Sequence, residues 1–159
     1  MAQNVTPAFG VAPDETRREL PGLAFLEGII GGRFPHPPIC GTLEFALVEA
    51  SSGFAAFQGT PTLAHINPFG TVHGGYAATL LDSCMTCAVL STLERGQGLT
   101  TVEAKINFIR PLTEETGLVR AEGRVLHSGR RLATADGRLL DADGNMLAHA
   151  TTTCLILAL

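Results

Sequence analysis

The stretch Gly74–Leu93 carries a single charged residue, Asp82. The other residues are apolar or small on nearly every face, and the stretch has the length of a long helix. A helix that is hydrophobic all round lies buried at the centre of a fold, so the rest of the chain must supply its cover. A carboxylate buried without a partner is costly, so Asp82 is paired, protonated or at work. Directly upstream, Asn67-Pro-Phe-Gly-Thr-Val-His73-Gly74-Gly75 forms a polar, glycine-rich turn that opens the helix. A polar helix entrance followed by a lone acid is the pattern of a candidate active site.

The remaining segments read as that cover. A short helix begins at Pro21, with Leu23, Phe25, Leu26, Ile29 and Ile30 as apolar anchors, and Gly31-Gly32 ends it. Pro35–Pro38 is a rigid connector. Two strands, Thr42–Glu49 and Gly53–Thr60, flank the turn Ala50–Gly53. After the long helix, expected over 74–93, Glu94–Gly98 turns the chain. Thr101–Ile109 then alternates, with Val102, Ala104, Ile106 and Phe108 against Glu103, Lys105 and Asn107. Leu118–His127 alternates as well. Arg131–Leu140 follows the turn Ser128-Gly129, and Met146–Leu157 follows Asp141–Asn145. Strands joined by short turns make an antiparallel sheet. The expected architecture is α+β, a curved antiparallel sheet around a long central helix.

Length and charge narrow the function. The 159 residues fit one domain over 19–159, with 1–18 as a flexible leader, loosest over 1–13. A net charge of −4 and a pI near 5.7 argue against nucleic-acid binding as the main role. Cys40, Cys84, Cys87 and Cys154 are irregularly spaced and read as reduced thiols. Cys84-x-x-Cys87 has no second ligand pair and reads as two core residues rather than a redox or metal motif. His36, His65, His127 and His149 lack ligand spacing, so no metal is expected. Residues 1–20 have no apolar run of the kind a signal peptide carries, and Asp82 interrupts the longest apolar stretch, so a cytoplasmic location without membrane insertion is expected.

The spacing Asn67-x-x-Gly70-x-x-His73-Gly74-Gly75-x6-Asp82 resembles that of the hotdog-fold acyl-CoA thioesterases, in the PaaI-like (phenylacetic acid degradation) branch. Thr101-Val-Glu-x-Lys-Ile-Asn-Phe-x-Arg-Pro111 and the Asp143-Gly144-Asn145 hairpin resemble the same branch. The resemblance covers roughly residues 20–157. It implies a hotdog fold, a long helix wrapped by a curved sheet, assembled as a homodimer that pairs into a tetramer. It also implies hydrolysis of an acyl-CoA, with coenzyme A as part of the substrate and no separate cofactor.

The residues supply a chemistry for that reaction. Thioester hydrolysis builds negative charge on the carbonyl oxygen. The Gly74 N–H at the helix N-terminus would meet it as an oxyanion donor, and Gly75 lets backbone approach the ligand. Asn67 either donates to the same oxygen or holds a turn before Pro68. Asp82 is general base or nucleophile. Thr101 matches a position where relatives place a hydroxyl to orient the attacking water; Thr86, one helical turn from Asp82, is the other candidate. His73 either shapes the entrance or holds the turn. Gly74 and Asp82 are roughly 12 Å apart on one helix at 1.5 Å per residue, so the site is expected to be shared between protomers. For the coenzyme A phosphates the candidates are Arg130, then Arg110, with Ser128 and Gly129 offering backbone N–H groups. Tyr76, Phe69 and Met85 are candidates for the acyl pocket. An aryl or medium-length acyl-CoA is the expected substrate. A non-catalytic acyl-CoA sensor and a hotdog dehydratase are the competing readings. The first lacks a basic DNA-binding segment, and the second uses a differently placed acid.

Overall fold

The uncharged helix forms over Gly74–Leu90, and a single six-stranded sheet wraps around it. The computed structural model describes residues 8–159. In chain order these are α1 (Asp14–Glu19), α2 (Gly22–Ile30), α3 (Pro38–Thr42), β1 (Phe45–Ser51), β2 (Phe54–Gly59), α4 (Gly74–Leu90), β3 (Gln97–Phe108), β4 (Val119–Ser128), β5 (Leu132–Leu140) and β6 (Met146–Ala158). The sheet order is β1-β2-β4-β5-β6-β3, and every neighbouring pair is antiparallel. This is the hotdog architecture expected from the sequence.

The helix can lie close to the sheet because the inward positions beneath it are small. Ala55, Ala121, Ala133, Ala135 and Ala150 face it and are fully or almost fully buried. Gly123 of β4 pairs directly with Gly137 of β5. A Cβ at Gly123 would stand 2.2 Å from the Cys84 carbonyl oxygen, and one at Gly137 would stand 2.8 Å from Met85 Cγ. These two glycines form the groove in which α4 rests.

The sheet covers one side of α4, not all of it. Tyr76, Ala77, Leu80, Leu81, Cys84, Met85, Ala88 and Val89 are buried. Thr79, Asp82, Ser83, Thr86 and Leu90 form a stripe that is only half-buried. Asp82 is therefore at the border of the core rather than inside it, because the sheet leaves that face of the helix open.

The helix also ends earlier than its composition suggests. Ser91 Oγ donates to the Ala88 carbonyl (2.6 Å) and Thr92 Oγ1 to the Val89 carbonyl (2.8 Å), satisfying acceptors of the last turn. The chain then turns through Gly96 at φ +77° and enters β3 at Gln97, within the segment read as a turn. The first hairpin is tighter than expected: Ser51 pairs with Phe54, leaving only Ser52 and Gly53 in the loop.

Part of the expected leader, residues 1–7, lies outside the described residues. The remainder is tied down. Gly10 N–H donates to His36 O, and His36 N–H to Ala8 O, both at 2.9 Å. Residues 14–19 form α1, and Gly96 N–H donates to Arg18 O at 3.0 Å. The expected boundary at residue 18 falls within α1. No helix among the described residues is long and apolar enough to cross a membrane.

Candidate active site

Asp82 and Thr101 meet. Thr101 Oγ1 donates a 2.9 Å hydrogen bond to Asp82 Oδ1, from the edge strand β3 to the middle of α4. Strict alternation along β3 would put Thr101 on the face opposite Ala104, Ile106 and Phe108. The register shifts between Thr101 and Glu103, where Val102 forms a bulge against β6. After the shift Thr101 pairs with buried Cys154 while Ala104 and Ile106 pair with buried Thr152 and Ala150. All now share the helix side. Thr152 Oγ1 donates to the Glu103 carbonyl at 2.7 Å and pins the bulge. The single alternating register read from the sequence is thereby corrected, and the bulge is what aims Thr101 at the carboxylate.

Thr86 is placed differently. Its hydroxyl bonds back to the Asp82 carbonyl at 2.7 Å, within the helix, and does not reach the carboxylate. The preference for Thr101 over Thr86 agrees with this geometry.

The N-terminus of α4 is the second element of the site. His73 is its N-cap: Nδ1 accepts from Gly75 N–H at 2.8 Å, which fixes the proton of the neutral ring on Nε2. The ring holds the turn by accepting from this N–H. Gly75 N–H is consequently occupied. Gly74 N–H has no acceptor among the described residues and is the free donor at the helix end. The Phe108 ring lies over it: a Cβ at Gly74 would stand 3.1 Å from Phe108 Cζ. Gly74, Phe108, Ile109 and Arg110 line a cleft of about 320 Å³. Phe108 was read from the sequence only as a strand residue; its role as the wall of this cleft has no local sequence signal.

Asn67 serves the turn. Its Oδ1 accepts from Phe69 N–H (2.8 Å) and its Nδ2 donates to Thr71 Oγ1 (2.9 Å), closing a loop through Gly70 at φ +82°. Asn67 thus holds the turn, and one Nδ2 hydrogen is left over.

The basic candidates lie at opposite ends of α4. Arg110 stands at its N-terminal end beside Gly74. Ser128, Gly129 and exposed Arg130 form the β4–β5 turn beyond its C-terminal end, where Ser128 Oγ lies 3.2 Å from Thr92 Oγ1. Gly129 N–H donates to Leu132 O at 2.9 Å, so it closes the turn and is not available to a phosphate. Tyr76 and Met85 are core residues, 3% and 0% exposed, and Phe69 is 93% exposed; of the three acyl-pocket candidates only Tyr76 borders a cleft, beside His73 and Gly75 rather than Asp82. Burial pushes the Cys87 thiol up to about 12 and Cys84 well above its ordinary value, which keeps both protonated at neutral pH and unsuited to nucleophilic work.

Comparison with known proteins agrees with this arrangement. Residues 69–148 match the thioesterase superfamily. Human acyl-coenzyme A thioesterase 13 is 32% identical over 111 residues, 69% of this chain and 78% of that protein. Among solved structures, a phenylacetic acid degradation-related thioesterase of Ralstonia eutropha JMP134 superposes with a TM-score of 0.74 at 31% identity, covering 82% of this chain and 98% of that one. A Streptococcus mutans UA159 protein solved with acetyl CoA bound superposes at 0.66 with 25% identity, covering 72% of this chain and 90% of that one. With Asp82 held by a strand hydroxyl and a free N–H at the head of the same helix, the chain belongs to the thioesterase superfamily, as a PaaI-like hotdog-fold thioester hydrolase.

Proposed function

We propose that the protein is an acyl-CoA thioesterase whose active site is assembled between two protomers, with Asp82 as general base. The observation that carries the base assignment is the Thr101–Asp82 hydrogen bond. The hydroxyl uses its one proton on Oδ1, so its lone pairs can accept from a water. A water donating one proton to Asp82 Oδ2 and the other to Thr101 Oγ1 keeps both lone pairs free, so one can be directed outward at the thioester carbonyl. Asp82 takes a proton as the water oxygen bonds to the carbonyl carbon. The C–S bond then breaks, and the proton passes to the leaving thiolate, giving the free acid and coenzyme A.

The oxyanion needs a donor that the same protomer does not offer. Gly74 and Asp82 sit on one unbroken helix, roughly 12 Å apart along its axis. An antiparallel second copy would bring Gly74 N–H of the partner subunit opposite Asp82. Two surfaces favour that copy. One is the half-buried stripe of α4. The other is the edge strand β3, where Val102, Phe108 and the following Ile109 are exposed and the side away from β6 pairs with no strand among the described residues. The same pairing would carry the Arg130 turn of one protomer toward the Arg110 end of the other, collecting charge for the coenzyme A phosphates. Pairing of such dimers into a tetramer belongs to the same proposal.

The test is thiol release from aryl and straight-chain acyl-CoAs by wild type and Asp82→Asn side by side. Release that vanishes in Asp82→Asn supports the assignment; equal release by both contradicts it. A single turnover in heavy-oxygen water separates the two roles of Asp82. A general base puts the label into the acid at once; unlabelled acid from the first turnover, with the label left on Asp82, shows a nucleophile whose anhydride water opens at the Asp82 carbon.

A further inference from the structure

We infer that Phe25 sets the acyl chain length, as the end wall of an apolar pocket that opens at Thr86, one helical turn beyond Asp82, and is closed by the N-terminal helices. Only the identity of the ligand as a thioester rests on the proposed function. α4 presents Asp82, Thr86 and Leu90 at four-residue steps, one above the other. β3 presents Thr101 and Leu99 as alternate residues on the same face. Beyond Thr86 these two edges enclose a cavity of about 240 Å³, whose far side is Leu20 and Phe25 from the N-terminal segment. Arg17 joins at the rim, where it pairs with Asp14. The floor from Asp82 to Leu90 runs roughly 12 Å. Polar at the carboxylate and apolar beyond, it suits the acyl part of a thioester.

The far wall is fixed. Gly22 N–H donates to Leu93 O at 3.0 Å, and a Cβ at Gly22 would stand 1.7 Å from the Leu90 carbonyl oxygen, so α2 lies directly on the end of α4. The Phe25 ring is half-buried and stacks on Phe34 with centroids 5.5 Å apart. Behind it lies a second apolar cavity of about 220 Å³, bounded by Leu26, Ile29 and Leu47 and sharing Arg17, Phe25, Cys87 and Leu90 with the first. Phe25 is thus a partition between two apolar spaces. A medium-length chain fills the first, and a long chain meets the ring. This wall lies outside the segment matched to the superfamily, 69–148, so it is supplied by the chain's own N-terminal part.

The experiment compares wild type, Phe25→Ala and Phe25→Leu, the last retained because it keeps an apolar side chain if the alanine variant fails to fold. Specificity constants are measured for octanoyl-, decanoyl- and palmitoyl-CoA. Opening the partition should raise the palmitoyl-to-octanoyl ratio about tenfold or more, the scale on which apolar pockets discriminate chain length. Phe25→Leu should fall between. Calorimetric binding of free octanoate and palmitate gives a readout independent of catalysis and should shift the same way. Hydrolysis with an unchanged chain-length ratio in both variants overturns the assignment of Phe25 while leaving the thioesterase reading intact. Absence of hydrolysis by wild type removes the latter, and the calorimetric ratio then decides for or against the pocket.

Discussion

Replacing Thr101 by Val removes one hydroxyl and almost no volume. The residue is half-buried, and its one side-chain hydrogen bond among the described residues runs to Asp82 Oδ1 at 2.9 Å. A hydrogen bond to a charged group contributes about 1.5–3 kcal/mol. If it holds the carboxylate and its water in the reactive arrangement, that amount is lost from the transition state. The rate then falls roughly ten- to a hundredfold, since each 1.36 kcal/mol is a factor of ten. Steady-state kinetics on one acyl-CoA, with melting temperature measured in parallel, separates this from a packing defect. The expected result is a lower kcat with little change in KM or melting temperature, and recovery of most of kcat by Thr101→Ser, which restores the hydroxyl. Wild-type kcat in Thr101→Val, or a loss that Thr101→Ser does not repair, would refute the role given to this bond.

Two further outcomes are expected. Gly123→Ala places a Cβ 2.2 Å from a backbone oxygen of α4, which cannot rotate aside. It should destabilise by more than the about 1–3 kcal/mol of ordinary overpacking, and more than Gly137→Ala, whose neighbour is the flexible Met85 side chain; urea midpoints check both. The protein should also lose stability in alkali. Burial raises Cys87 to about 12 and Cys40 to about 11 from 9.0, and burial together with the Glu44 charge raises Tyr76 to about 12 from 10.0. The folded chain then keeps protons that the unfolded chain releases, so this stability is complete below pH 9.0 and falls as pH rises through the folded values. A urea midpoint that stays level from neutral pH to about pH 11 would contradict it.

Much of this was legible in the residues. The lone charge at Asp82, the glycine-rich turn before it and the alternating segments after it carried the helix, the sheet and both halves of the site. What stayed hidden depended on pairing between distant segments. The bulge at Val102 exists because Thr152 on β6 fixes the Glu103 carbonyl, and no property of β3 alone signals it. The half-open face of α4 was hidden for the same reason. Its residues are apolar or small on nearly every face, and only strand order decides which side the sheet covers. For Asn67, spacing alone cannot show that Thr71, four residues on, takes up one hydrogen of its side-chain amide. Gly129 is similar: its N–H is free in a sequence and committed to Leu132 O in the turn.

The central claim is that one reaction uses Asp82 from one protomer and the Gly74 N–H from another. Proline is tolerated at the first position of a helix and has no N–H, so Gly74→Pro removes the donor while permitting α4 to form. A heterodimer of an Asp82→Asn protomer and a Gly74→Pro protomer, isolated with two different tags, holds one doubly damaged and one intact site if the site is shared. Its acyl-CoA hydrolysis should be about half that of the wild-type dimer, although each variant alone is inactive. A heterodimer as inactive as its parents would place both groups in the same protomer's site and contradict the account.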